Sequence, residues 1–181
     1  MPNQEDASDN EMMHQIQQGN QRAFRQLVKQ YLNPLYRFAH HLLGDQMTAE
    51  DIVQDTFIKV WYQAKQWQPG KAKLSTWLHT IVRHQCIDSY RKENHHTVSL
   101  EEVEDIAVAE SADNIHQLEL AEQITQALQQ LPERQRTAVL LCYYQGFSNQ
   151  EAAELLSISI EAVESLLTRG RKTLKRKLLP N

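Results

Sequence analysis

Glu161, Glu164, Ser165, Thr168, Arg169, Arg171 and Lys172 crowd into one part of the stretch SNQEAAELLSISIEAVESLLTRGRKTLKRKL, residues 148–178. Placed on a 3.6-residue period, most of them share the side opposite Val163, Leu167, Gly170, Leu174 and Leu178, with Arg169 on the flank. Carboxylates and hydroxyls come first along this side and cations follow. That order suits hydrogen bonds to base edges near the start of a helix and to phosphates further along. A carboxylate there can accept from the N4 amino group of cytosine, while Arg171 and Lys172 are placed for phosphates. This is recognition chemistry, with no bond made or broken. An ordinary helical hairpin with a solvated basic face would carry the same pattern, so the rest of the chain has to decide between them.

Two other groups carry chemistry of the same non-covalent kind. In TAEDIVQDTFIKVWYQA, residues 48–64, Ile52, Val53, Thr56, Phe57 and Val60 point one way, and Asp51, Gln54, Asp55, Ile58 and Tyr62 point the other. Carboxylates sharing a surface with an isoleucine and an aromatic ring describe a partner-binding face, or else a solvated acidic face with an incidental Ile58. Next, QWQPGKAKLS is a loop by its Pro69-Gly70 and holds Trp67, Lys71 and Lys73. A ring among lysines is a platform on which single-stranded bases stack while the cations neutralise phosphates. In the following STWLHTIVRHQCIDSYRK, Trp77, Leu78, Ile81, Val82 and Cys86 read as core, and Thr76, His79, Arg83, Tyr90, Arg91 and Lys92 as exposed surface.

Catalytic and metal chemistry have no comparable support. There is no Gly-rich phosphate loop, no G-x-S-x-G, and no HExxH or C2H2 spacing, so neither an enzyme nor a cofactor is expected. His40 and His41 are neighbours, about 100° apart on a helix, and so are poor co-ligands. Cys86 and Cys142 stand alone, which suggests neither a disulfide framework nor a thiolate metal site.

The elements that must position these groups all read as helices. With 5 Gly and 5 Pro, abundant Gln, Leu, Ala and Glu, and no sustained period-two alternation, the expected fold is all-α. Asp9 or Asn10 is placed to cap a short first helix, and Gly19-Asn20 interrupts it. Phe24, Leu27, Val28, Tyr31 and Leu32 resume the period, Pro34 fits the first turn of another helix, and Gly44 ends that one. Thr48 and Ser75 read as caps of the two helices that follow. Order resumes near Asn114; Pro132 opens a helix whose face is Val139, Leu140, Tyr143 and Tyr144, ended by Gly146. Ser148 and Glu151 then form an S-x-x-E capping box, and Ser157-Ile158-Ser159 breaks the helix, with Ser159 capping the next. The result is a helix-turn-helix.

The net charge of -4 conceals blocks. Residues 12–92 carry eleven Lys and Arg against five acids, residues 93–133 carry ten acids and no Lys or Arg, and residues 134–181 carry eight bases against four acids. Two basic bodies joined by an acidic strap suit a chain whose domains meet a polyanion while the connector avoids it. The strap reads either as a solvated linker or as a screen laid over the basic surfaces. The expected division is residues 1–93, a flexible acidic linker at 94–113, and residues 114–181 with the helix-turn-helix. The acidic, polar start and the lack of any run of about 18 apolar residues point to a cytoplasmic protein that does not insert into membrane.

Taken together, AEDIVQDTFIKVW, LSTWLHTIVRHQCIDSYRK and LPERQRTAVLLCYYQGFSNQEAAELLSISIEAVESLLTRGRKTLKRKL resemble, in order and separation, three segments of an extracytoplasmic-function sigma factor. These are its core-polymerase-binding helix, its promoter -10 helix and its -35 domain. The resemblance implies no catalysis by the chain itself, with core RNA polymerase and promoter DNA as partners and an anti-sigma factor, often membrane-bound, as inhibitor. It assigns Asp51, Gln54, Asp55 and Ile58 to the polymerase, and Trp67, Lys71 and Lys73 to a loop that receives an unstacked -10 base. Arg83, Arg91 and Lys92 lie beside that strand or its phosphates, and Glu161, Glu164, Ser165, Thr168, Arg169, Arg171 and Lys172 go to the -35 duplex. The chain departs from many relatives at Glu164 and Leu166, where Lys and Arg are common, and at Ser157, where a Gly is usual. A stand-alone helix-turn-helix regulator binding a palindrome as a dimer is the rival reading; it leaves the first basic body unexplained.

Overall fold

A computed structural model describes residues 4–95 and 112–178. Its elements are α1 (Gln4–Gln17), α2 (Gln21–Leu43), α3 (Gln46–Gln63), α4 (Leu74–His95), α5 (Ala112–Gln129), α6 (Glu133–Val139), α7 (Asn149–Leu156) and α8 (Ile160–Leu178). No strand occurs among the described residues, and no helix among them is long and apolar enough to cross a membrane. Of the acidic strap, residues 96–111 lie outside those described.

Helix α2 is the spine of the N-terminal unit. Asn20 caps it, its side chain accepting from the N–H groups of Arg22 at 2.9 Å and Ala23 at 3.3 Å. Leu27, Tyr31, Leu35, Phe38 and Leu42 recur at three- to four-residue steps and are all buried. That stripe runs straight through Pro34, which therefore lies inside α2 and does not open a new helix as the sequence suggested. A proline within a helix costs about 3 kcal/mol, whereas each large apolar side chain buried recovers about 1.5–3 kcal/mol, so the continuous stripe wins. Gly44 then closes α2 in the left-handed region at φ 80°, its N–H donating to His40 O at 2.7 Å.

Three expected caps are displaced. Helix α1 starts well before Asp9, whose carboxylate accepts from Tyr31 Oη at 2.8 Å and ties α1 to α2. Asp45, not Thr48, caps α3, accepting from Thr48 N at 2.6 Å. Ser75 lies within α4, which begins at Leu74, and its carbonyl accepts from His79 Nδ1 at 2.8 Å. For α3 the neighbouring Asp45 carboxylate wins the role that helical spacing alone left undecided.

In the C-terminal unit α6 passes at Leu140 into one π-turn, Leu140–Tyr144. The wider turn rotates the face. Val139 and Leu140 stay buried, but Tyr143 and Tyr144 emerge, so the four do not form the single core face expected of a regular helix. Buried side chains from α1 through α8 form one continuous cluster, and the two units pack directly against each other.

Candidate nucleic-acid interface

The turn that sets α8 against α7 is built locally. Glu151 N donates to Ser148 Oγ at 3.2 Å, and Ser148 N donates to the Glu151 carboxylate at 2.8 Å, completing the capping box. At the other end of α7, Ser157 adopts φ 54°, ψ 48°, and Ile158 N reaches back to Ala153 O at 3.0 Å. A serine thus holds the left-handed position that a glycine takes without strain. Ser159 Oγ accepts from Ala162 N at 3.2 Å and starts α8.

Val163, Leu167 and Gly170 turn inward, and a Cβ on Gly170 would stand 2.8 Å from Val139 Cγ2. This close approach fixes the rotation of α8. Glu161, Glu164, Ser165, Thr168, Arg169, Arg171 and Lys172 are all exposed as a result. The backbone N–H of Glu161 and the Ser159 hydroxyl hold the Glu161 carboxyl below the usual carboxylate range, so the helix start presents a full negative charge.

On α3 the predicted division of faces is observed. Asp51, Gln54, Asp55, Ile58 and Tyr62 are exposed, Ile58 by 54 % and Tyr62 by 80 %. Sequence reasoning missed what lies beside them: a cleft of about 540 Å³ lined by Phe24, Arg25, Phe57, Ile58, Trp61 and Tyr62. Its floor is aromatic, with the Phe24 and Trp61 rings edge-on at 5.0 Å. Trp61 sits three residues after Ile58 and Phe24 in the first turn of α2, a pairing across helices that no local period reveals.

The third group is only partly as expected. Trp67 is 5 % exposed, so its ring is an anchor of the loop and not an open stacking platform. Gln17 Nε2 donates to the carbonyls of Ala64 at 3.0 Å and Trp67 at 3.2 Å, so α1 pins the loop and seats the ring in the core. Lys71, Arg91 and Lys92 are exposed. Lys73 and Arg83 face the C-terminal unit: Lys73 Nζ lies 2.8 Å from the Glu151 carboxylate and Arg83 lies 3.6 Å from that of Glu133.

Thr76 and His79, expected on the surface, are buried, and α4 packs against α7 of the C-terminal unit. The His79 ring meets Phe38 at 5.2 Å and Phe147 at 4.9 Å, both edge-on. Burial pushes its pKa below the ordinary value, against the raising effect of its bonds to Ser75 O and Gln145. Burial likewise raises Cys86 to about 12, which makes it a small inert hydrophobe as its place in the core stripe implied. Among the described residues no three His, Cys, Asp or Glu side chains are grouped to hold a metal ion.

Comparison with known proteins matches residues 27–96 to Sigma-70 region 2 and residues 121–174 to Sigma-70, region 4. The chain is 30 % identical over 177 residues to the ECF RNA polymerase sigma factor SigW of Bacillus subtilis, covering 91 % of this chain and 93 % of that protein. It is 34 % identical over 154 residues to the ECF RNA polymerase sigma factor SigE of Mycolicibacterium smegmatis, spanning 83 % of this chain and 59 % of SigE. Among solved structures, the sigma factor RpoE in complex with the anti-sigma factor NepR from Bartonella quintana superposes with a TM-score of 0.72 at 30 % identity, over 87 % of this chain and 98 % of that one.

Proposed function

This chain belongs to the extracytoplasmic-function RNA polymerase sigma factors of the sigma-70 family, and on that premise we propose how its surfaces divide the work of choosing a promoter. A sigma factor is not an enzyme. It binds core RNA polymerase, recognises promoter DNA and supports transcription initiation.

In our reading residues 1–93 form the unit that meets core polymerase and the -10 element, residues 94–113 connect, and residues 114–181 form the -35 unit. Asp51, Gln54, Asp55 and Ile58 bind the polymerase, with Ile58 and the neighbouring aromatic cleft as apolar anchor and the carboxylates as charged contacts desolvated beside it. Lys71 and Lys73, on a loop that Trp67 holds in place, and Arg83, Arg91 and Lys92 of α4 receive the -10 strand through its phosphates. Glu161, Glu164, Ser165, Thr168, Arg169, Arg171 and Lys172 read the -35 duplex.

The observation that supports this most is the exposed side of α8, which carries all seven of the last group while Gly170 and Val139 fix its rotation. An anti-sigma factor fits the same reading, since RpoE bound to NepR shares the arrangement across most of both chains. Action with polymerase places the protein in the cytoplasm. The test is reconstitution. The purified chain, mixed with core polymerase, co-elutes with it and gives an asymmetric footprint spanning two elements upstream of a start site; a symmetric operator footprint without polymerase would favour a stand-alone regulator instead.

A further inference from the structure

The two units are held together by an arginine with no carboxylate partner among its hydrogen bonds. Arg136 of α6 is 7 % exposed. Its Nη1 donates to Leu42 O, to Tyr90 Oη at 2.7 Å and to Gln129 Oε1; its Nη2 donates to Gln129 O at 3.0 Å and Leu131 O at 3.1 Å. These acceptors cluster at the C-terminal ends of two helices, α2 from the N-terminal unit and α5 from its own. Terminal carbonyls lack partners within their helix and carry the negative end of its dipole, so one cation serves both ends.

Further bonds draw the same site closed. Tyr90 Oη donates to Leu42 O at 2.8 Å, and Gln129 Nε2 donates to His41 O at 2.8 Å. Gly44 leaves the room this needs, since a Cβ there would stand 2.9 Å from Gln129 Cδ.

Closure does not treat the three functional surfaces alike. The α3 face and the seven α8 residues stay exposed, whereas Lys73 and Arg83 are ion-paired with Glu151 and Glu133 of the other unit. A closed chain of this length is roughly 40 Å across by the usual size scaling. The -10 and -35 elements are about 25 base pairs apart, roughly 85 Å at 3.4 Å per pair. No closed chain spans that distance.

We propose that Arg136 is a latch that keeps the chain closed by occupying the Leu42 carbonyl of α2, and that the closed state withholds Lys73 and Arg83, two of the five -10 cations, while leaving the other three cations, the polymerase face and the -35 face open. Polymerase or -35 DNA then engages first, and release of Arg136 from α2 admits the -10 strand. The device rests on the assignment of surfaces given above.

Because Arg136 also bonds within its own unit, the test weakens the latch from its partners. Tyr90→Phe with Gln129→Ala removes the hydroxyl and amide that gather around the guanidinium and leaves net charge unchanged. Small-angle scattering reads compactness, and titration of a fluorescent 20-nucleotide oligothymidylate at several salt concentrations reads strand binding, for the free chain and for the chain bound to core polymerase.

The free variant is expected to be larger than the parent and to bind the oligonucleotide about tenfold more tightly if the parent is open roughly a tenth of the time. Two more cations available to phosphates should steepen the salt slope by about 1.4 units, at about 0.7 per contact on a single strand. Bound to polymerase, parent and variant should bind alike. A variant that stays as compact as the parent overturns the latch, and one that expands without gaining affinity overturns the withholding of Lys73 and Arg83. If neither protein binds the strand even on polymerase, the surface assignment beneath the proposal has failed.

Discussion

A Cβ built on Gly170 of α8 would stand 2.8 Å from Cγ2 of Val139 in α6, closer than two carbon atoms pack without displacement. Helix α8 therefore rests directly on α6. Gly170→Ala improves helix propensity by about 1 kcal/mol, yet overpacking commonly costs about 1–3 kcal/mol, and Val139 is fully buried and β-branched. We expect net destabilisation in thermal melts and weaker -35 binding. Adding Val139→Ala should recover part of the loss, which a double-mutant cycle will show as coupling; additive effects would mean the contact relaxes freely.

Ser157 gives the opposite expectation. It is exposed and holds φ 54°, a region that disfavours any residue with a Cβ. Ser157→Gly should stabilise the chain by about 0.5–1 kcal/mol, the strain relieved less the entropy a glycine loses on folding. Chemical denaturation reads this directly, and a destabilised glycine variant would show that the serine contributes more than it costs.

Acidification should loosen the contact between the units. His79 is buried between Phe38 and Phe147 with its pKa lowered from 6.5, mainly by burial. The unfolded chain takes up a proton near 6.5 that the folded chain refuses until lower pH. The stability conferred by neutral His79 is complete above about pH 6.5 and is withdrawn as pH falls below it. His41 shifts the same way, through burial and then His40 and Arg37. Glu151 acts in a lower window: burial raises its carboxyl but bonds from Lys73 and Ser148 outweigh this, so its contribution is lost only as pH falls below the ordinary carboxylate value of 4.5. Melting temperature should drop between pH 7.5 and 5.5, and His79→Phe should flatten that slope; equal slopes in parent and variant would remove His79 from the account.

Glu164 and Arg171 are both exposed on the side of α8 that we propose reads the -35 duplex, but they have different chemistry. Glu164→Gln should relax discrimination at one base pair by about 1–3 kcal/mol, because a carboxylate accepting from a cytosine amino group is lost. Arg171→Ala should weaken all sequences alike and lower the salt slope by about one unit. Binding of each holoenzyme to single-base -35 variants at two salt concentrations distinguishes these effects. An unchanged base profile leaves Glu164 without a reading role.

Features set within one helix were legible in the sequence. The capping box at Ser148 and Glu151, the inward Val163, Leu167 and Gly170, and the outward Asp51, Gln54, Asp55 and Ile58 all follow from periods and caps that span a few residues. Features set between distant segments were not. His79 has a surface pattern along α4 and is buried between Phe38 of α2 and Phe147 of the C-terminal unit. Trp67 sits in a lysine-rich loop and is buried because Gln17 draws that loop onto α1. Pro34 has the signature of a helix start but is overridden by a stripe continuing on both sides. Arg136 carried no signal, since three of its five acceptors are main-chain carbonyls that every sequence possesses and the other two, on Tyr90 and Gln129, are distant in sequence or on another helix.

The central claim is that the polar face of α3 joins this chain to core polymerase, and its most direct test is the affinity of purified core for the chain and for Asp51→Ala with Asp55→Ala. Both carboxylates are exposed, and the core of the unit does not depend on them. Truncating charged contacts at the centre of an interface commonly costs about 2 kcal/mol or more, so the double variant should bind roughly 30-fold more weakly while its helical circular dichroism and melting temperature match the parent. A variant folded as the parent and bound by core with the parent's affinity would contradict the account.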